Sequence, residues 1–386
     1  MCHRNYLFVE KIFSHSYFCH VVATLNGGVH IARRTLFELQ MLQTGSPPVG
    51  GAKVGATIWN APKCQPCVIS ININFIKAIH LTSIQIFLFM KLTNTKFFYL
   101  LAFIFMICLT AAAQENDKKI RIIMIGAHPD DCDDDGGGTA ALFAQMGYAV
   151  KFVAVTNGDA GHQILGGPAL AKRRLAEAKE AGKRLGVVYD VLNNHDGQLM
   201  PTLEVRLQVI KKIREWDADI VIAPRPNDYH PDHRYTGVLV QDAAYMVAVP
   251  NVAPETPALK KNPIFLYFQD RFQKPNIFRP DIAVDITKVF DKKVLALDAH
   301  QSQMYEWLPW IGQYADQVPK DKTERIKWLA ETRKQNIKPE VKAALEKWYG
   351  KEKAALVKNA EAFEICEYGT QPDDKMIKKL FPMLGK

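Results

Sequence analysis

The sequence predicts an α/β fold, a mainly parallel sheet with helices on both faces and a helical C-terminal region. Three observations predict it. Short, nearly continuous apolar runs have the character of strands buried on both faces. Segments with apolar residues at helical spacing lie between them. The two kinds alternate from Ile120 to Val284, as a parallel sheet with crossover helices requires.

The first strand is Ile120–Ala127 (IRIIMIGA), and a polar loop leads to Gly136-Gly137-Gly138, which opens a helix through about Met146. Tyr148–Thr156 is the second strand. Pro168–Leu185 is a helix stopped by Gly186, and Val187–Leu192 the third strand. Leu203–Trp216 is a helix, Asp219–Ala223 the fourth strand and Arg234–Val247 the next helix. Further strands are predicted near Ile264–Phe268 and Ile282–Val284. From Thr287 the chain is rich in Lys, Glu and Ala and reads as helices packed beside the sheet. The whole is Rossmann-like, a class in which ligands bind at the carboxyl ends of the strands.

Charge and cysteine usage divide the chain elsewhere. The net charge of +9 invites a polyanion partner, but residues 1–113 hold nine Lys/Arg against Glu10 and Glu38. Residues 114–386 keep 40 basic and 38 acidic side chains, so the basicity says little about their partners, and no nucleic-acid partner is expected. Five of the seven cysteines also precede residue 114. Cys64 and Cys67 form a lone C-x-x-C without a second pair at zinc-site spacing. Cys132 and Cys366 remain, enough for one bridge but not for a disulfide framework.

Met90 begins a second pattern. Lys91 and Lys96 supply a positive start, Phe97–Leu109 an apolar run and Ala111-Ala112-Ala113 a cleavage site, the order of a secretory signal peptide. The apolar run is short for a membrane span. The expectation is an upstream extension at 1–89 that arises from a misplaced start, a signal peptide at 90–113 and a working domain at 114–386. Cleavage near Ala113 would leave a mature chain without an integral membrane span, secreted or in the periplasm or cell envelope. The alternative for residues 90–113 is an internal membrane anchor.

Two tetrapeptides carry the chemistry: His128-Pro129-Asp130-Asp131 after the first strand and His230-Pro231-Asp232-His233 after the fourth. His128, Asp131 and His233 offer two nitrogens and one oxygen to a divalent metal and leave a position open for water, as a catalytic zinc requires. Iron, manganese or cobalt accept the same donors.

With AHPDD at 127–131, GGGT at 136–139, TNGDAG at 156–161, Arg174-x-x-Glu177, HDG at 195–197, HPDH at 230–233 and His300-x-Ser302-Gln303, the sequence resembles the PIG-L/LmbE-like de-N-acetylases over about residues 120–305. The resemblance implies zinc held by His128, Asp131 and His233. It implies Asp130 as general base and His230 as acid or oxyanion stabiliser, with an N-acetylated sugar or glycoconjugate as substrate. The chemistry agrees: bound zinc lowers the pKa of water, a free carboxylate can move its proton to the leaving amine, and a protonated His230 can share the charge of the intermediate. Asp232 is assigned to orient or charge-stabilise His230.

The family commonly has Glu where this chain has Cys132. Its thiolate would compete for zinc; otherwise it is a spectator on the loop. Asp131-x-Asp133-x-Asp135-Gly136 copies the first half of a calcium loop, but the required Glu is replaced by Leu142, so the acids read as a solvated or helix-capping stretch. Gly136–Gly138 lacks the spacing of a dinucleotide cradle. Arg174 is assigned to substrate, against a surface salt bridge with Glu177 or Glu180. Asp159 and His162 are sugar-contact candidates, Asp196 is outer support for the metal or a turn residue, and His300 lines the pocket or fills a helix interior. Tyr305, Trp307 and Trp310 stack on sugar or belong to the core, and Lys288, Lys292 and Lys293 read as a solvated face.

The function expected from these features is a secreted zinc-dependent hydrolase. It removes the acetyl group from an N-acetylglucosamine-like sugar by attack of metal-activated water. Another acylated amine as substrate, or a glycan-binding protein with a decayed site, are the alternatives.

Overall fold

The computed structural model describes residues 119–334 and 336–386, together with residues 24–25 and 28–29. The chain divides into two units, Met1–Glu115 and Asn116–Lys386. In the first, Thr24–Leu25 pairs antiparallel with Gly28–Val29. The rest of the expected extension, the signal peptide at 90–113, and Cys64 and Cys67 lie outside the described residues. Among the described residues no helix is long and apolar enough to cross a membrane.

The second unit is built on a seven-stranded sheet. Its strands are β1 (Arg121–Gly126), β2 (Ala149–Thr156), β3 (Val188–Asn194), β4 (Ile220–Ala223), β5 (Ile264–Phe268), β6 (Ile282–Asp285) and β7 (Ala360–Gly369), in the order β3-β2-β1-β4-β5-β7-β6. The first five are parallel, and β7 runs antiparallel to both of its neighbours.

Alternation along the strands builds two cores. Ile122, Met124, Ile220 and Ile222 face one side, with Phe143, Ala181 and Leu297 from the helices α1 (Asp131–Gln145), α2 (Gly167–Leu185) and α5 (Phe290–Ala299). Ile123, Ile125, Val221 and Ala223 face the other, against Val209, Ile213 and Leu239 from α3 (Leu203–Glu215) and α4 (Pro231–Met246). A side-chain period of two therefore feeds both layers from one strand.

The predicted elements from β1 to β6 are present, and three details differ. Helix α1 starts at Asp131 and α4 at Pro231, each a turn or so before the predicted start. Pro231 at the first turn and the acids Asp131, Asp133 and Asp134 favour those starts, because proline fits N1 and carboxylates stabilise a helix N-terminus. The C-terminal region, read as helical throughout, also contains the ten-residue strand β7. Its polar residues hid it, since Glu361 and Glu364 alternate with Ala360, Ala362 and Phe363.

The glycine run serves close packing. A Cβ on Gly138 would lie 2.8 Å from three carbons of Ile286, and one on Gly136 would lie 2.7 Å from Met124 Sδ. On β7, the Glu361 carboxylate accepts from the Gly138 and Thr139 amides of α1 at 2.9 and 2.6 Å. Lys293 of α5 donates to Glu361 at 2.9 Å and to the Asp134 carbonyl. Lys293 is thus buried in an ion pair rather than on a solvated face. Cys132 and Cys366 are both free and buried, so they do not form a bridge.

Candidate metal centre and active site

Strands β1 and β4 are neighbours at the point where the strand order reverses, the usual ligand crevice of such a sheet. The 128–131 tetrapeptide leads from β1 into α1, ending at its first residue, and the 230–233 tetrapeptide caps and opens α4. The sheet thereby brings residues 128–131 against residues 230–233.

Three of those side chains converge. His128 Nδ1 lies 3.1 Å from His233 Nε2, and Asp131 Oδ2 lies 3.7 Å from the first and 3.5 Å from the second. A tetrahedral ion with bonds near 2.0–2.1 Å holds its ligand atoms about 3.3–3.5 Å apart, so the triangle has the size of a zinc site.

The outer contacts fix the tautomers. His128 Nε2 faces Asp196 Oδ1 at 3.1 Å and Asp232 Oδ2 at 3.3 Å, and His233 Nδ1 faces Asp228 Oδ1 at 3.2 Å. Each carboxylate holds the proton on the nitrogen it touches. The two nitrogens left facing one another at 3.1 Å then both present lone pairs, an arrangement that repels unless a proton or a metal ion lies between them. The residues present fit a divalent metal.

The surrounding acids also favour a protonated His128, so an ion bound there displaces a proton. Burial disfavours a charged His128, but hydrogen bonds to Asp196 and Asp232 and the Asp131 charge outweigh it and push its pKa up to about 10. Burial would raise Asp196, yet His128 and Arg174 hold it well below the ordinary carboxylate range. His128 also has metal-ligand spacing with His230 and His233 and, as a second group, with Asp196 and Asp232. The carboxylates of that second group face Nε2, the nitrogen opposite the triangle, so it supports the first site.

Asp130 caps α1 with φ 157° and ψ −24°, a conformation rare for L-residues. Its Oδ1 accepts from Arg174 Nη2 at 2.9 Å. Burial raises its pKa, against the lowering charge of Arg174, to about 6. Arg174 itself is 2% exposed. It donates to the Pro129 carbonyl at 3.2 Å and lies 3.5 Å from Asp196 Oδ2. A Cβ on Gly158 would lie 2.6 Å from its guanidinium, and with φ +70° that position suits glycine. Arg174 reaches the cavity, but its placement is that of a brace for Asp130. The expected surface ion pair with Glu177 is made by Arg173, at 3.1 Å.

His230 caps α4, its Nδ1 accepting from the Asp232 amide at 3.2 Å. Burial and the neighbouring His128 and His233 push its pKa down. A neutral ring that accepts at Nδ1 carries its proton on Nε2 and donates from there, so its role as donor needs no imidazolium. The Asp232 carboxylate favours a charged His230 electrostatically, as expected, but makes no hydrogen bond to its side chain. That carboxylate instead meets His128 and accepts from the Gly197 amide at 2.7 Å.

A cavity of about 520 Å³ opens on this cluster, walled in part by Asp130, Arg174, His230, Gln303 and Trp307. Trp307 stacks on Trp310 with centroids 5.5 Å apart, and Trp310 is 50% exposed. Tyr305 belongs to the core. Gln303 donates to the Gly161 carbonyl at 3.0 Å from a π-helical stretch, Ser302–Trp307, a form frequent at functional sites.

Other expected contacts lie outside the cavity wall. Asp159 joins the loops after β2 and β3, binding His195 Nδ1 at 2.6 Å and the Asp196 amide at 3.0 Å. His162 is tied to Glu306 at 2.8 Å. His300 is fully buried, with Nε2 3.1 Å from Asp133 Oδ2, so it packs beneath the site instead of lining it. Asp133 is therefore buried, not solvated, while Asp134 pairs with Arg333 at 3.2 Å. Cys132 sits on the core side of α1, where burial and the nearby acids push its thiol pKa up, away from a metal-binding thiolate. Asp228 went unnoticed in the sequence; its position two residues before His230 was the available signal.

Comparison with known proteins agrees with this geometry. The family model for GlcNAc-PI de-N-acetylase, PIG-L, matches residues 123–244. A diacetylchitobiose deacetylase of Thermococcus kodakarensis is 34% identical over 213 residues, covering 51% of this chain and 76% of that protein. A Bacillus cereus protein named as an N-acetyl-alpha-D-glucosaminyl L-malate deacetylase is 27% identical over 195 residues, covering 47% and 83%. A 4-oxalmesaconate hydratase of Pseudomonas putida is 25% identical over 200 residues, covering 50% and 77%. With its buried His/Asp cluster of a metal-dependent amidohydrolase, the chain belongs to the PIG-L/LmbE-like de-N-acetylase family.

Proposed function

We propose that the protein is a zinc-dependent hydrolase that removes the acetyl group from an N-acetylglucosamine-like sugar or glycoconjugate. The observation that carries this reading is the His128–Asp131–His233 triangle with Asp130 beside it in one cavity. Trp307 in the wall of that cavity, stacked on the exposed Trp310, and the sugar deacetylases among the relatives support a sugar as the acylated amine.

A divalent ion held by His128, Asp131 and His233 would supply Lewis acidity and lower the pKa of a water. Asp130 takes the proton of the attacking water, whose oxygen bonds to the amide carbon. His230 donates from Nε2 to the carbonyl oxygen as that atom gains negative charge. Asp130 then passes its proton to the sugar nitrogen as the C–N bond breaks, so the products are a free amine and acetate. Asp196, Asp232 and Asp228 hold the two ligand imidazoles in the required tautomers. Arg174 keeps Asp130 aimed and ionised.

The test is acetate release from N,N'-diacetylchitobiose. Chelation abolishes it and zinc restores it. A zinc-loaded protein that releases no acetate from any N-acetylated sugar would overturn the reading.

A second measurement isolates Arg174. Arg174→Gln removes the cation that lowers the Asp130 pKa, so the acid limb of kcat/KM moves to higher pH. We expect kcat to fall about tenfold, with partial recovery in Arg174→Lys. An unmoved limb would leave Arg174 without this role. Export rests on residues 90–113, and an exported chain that begins at Gln114 is the expected product.

A further inference from the structure

We propose that the cleft continues past the metal centre and binds an internal residue of an oligosaccharide chain, with sugar sites on both sides of the ion. This rests on the sugar de-N-acetylase reading above. On the far side of Tyr229 and His233 lies a second cavity of about 350 Å³, which shares those residues and Asp131 with the first. It shares Asp270, Arg271 and Phe272 with a third, of about 560 Å³, that reaches Ile277 and Lys338. Each volume falls within the range of about 300–1,000 Å³ common for ligand sites.

Both arms hold aromatic rings, and the second is otherwise lined mostly by charged groups, among them Asp134, Asp135, Asp228 and Asp270. One has Trp307, on which Trp310 stacks. The other has Tyr229, 68% exposed, with Phe272 at a ring-centroid distance of 6.3 Å. Aromatic faces with planar polar groups beside them are what sugar rings pack against. Gln269 and Arg271 supply such groups in the second arm. Arg225 grips Asp270 with two 2.5 Å hydrogen bonds in the lining of that arm.

Sugar geometry explains the need for two arms. In an N-acetylglucosamine ring the acetamido group is on C2, and the linkage carbons C1 and C4 lie across the ring from one another. With the acetamido carbonyl at the ion, the two neighbouring sugars leave in opposite directions. A site closed on one side accepts only a terminal residue; this one has a cavity on either side of Tyr229 and His233.

The experiment compares zinc-loaded enzyme on N-acetylglucosamine, its β1,4-linked dimer and its tetramer, and locates the free amines by mass spectrometry. Remote binding energy raises kcat/KM with chain length, by at least about tenfold from monomer to tetramer. Internal residues lose acetate. Phe272→Ala and, as an exposed variant with little bearing on folding, Arg271→Ala lower kcat/KM severalfold on the tetramer and leave the monomer unchanged. Equal kcat/KM on monomer and tetramer, or amines confined to a chain end, would overturn the proposal while leaving the de-N-acetylase reading intact. Absence of acetate from every substrate would instead remove that reading.

Discussion

Asp130→Asn is expected to retain a full complement of metal while kcat falls by about 10²–10⁴-fold, the usual contribution of a positioned acid–base group. The substitution keeps the shape of the side chain and an oxygen for Arg174 to donate to at 2.9 Å. What it removes is the ability to take a proton. Asp130 is suited to that task because burial, against Arg174, brings its pKa up to about 6. Below that value it is protonated and cannot act as base, so wild-type activity declines as the pH falls through it. His233→Ala is the contrasting variant: it deletes one corner of the triangle, and both metal and activity are lost. Metal content and acetate release measured on the same preparations separate the two. Full activity in Asp130→Asn would assign the base elsewhere.

The largest effect on stability is expected from Glu361→Ala, a loss of about 3–5 kcal/mol, the cost of leaving a buried charge without its partner. The affected charge is Lys293, itself buried, which keeps only the Asp134 carbonyl. The Gly138 and Thr139 amides lose an acceptor at the same time. Urea unfolding measures the difference. The double variant Glu361→Met with Lys293→Met is expected to recover much of it, because two apolar chains leave no uncompensated charge. A Glu361→Ala protein as stable as wild type would mean that water reaches Lys293.

The site was legible where chemistry and spacing coincide. His128, Asp131 and His233 could be named because two tetrapeptides follow two strands, and parallel strands deliver their carboxyl ends to one place. The supporting residues were harder to read because their partners are distant in sequence. Asp232 is adjacent to His233, but the sheet turns it towards His128, 104 residues away. Asp133 and His300 meet across 167 residues, and the pair reads as one solvated acid and one pocket histidine until the packing is known. Arg173 and Arg174 are neighbours whose exchange of roles depends only on which face of α2 meets the loops. Strand β7 escaped because its alternation is of Glu with Ala and Phe, and no long apolar run marks it.

That strand also sets the order in which the molecule can be finished. β6 joins the sheet only through β7, and β7 is inserted between strands whose paired residues lie 75 to 105 positions earlier. A growing chain that has already produced all three ligands by His233 still lacks the piece that closes its sheet and clamps α1. Long-range pairings of this kind form late, since distant segments must first be brought together. The sheet beneath the triangle is therefore complete only once β7 has been made.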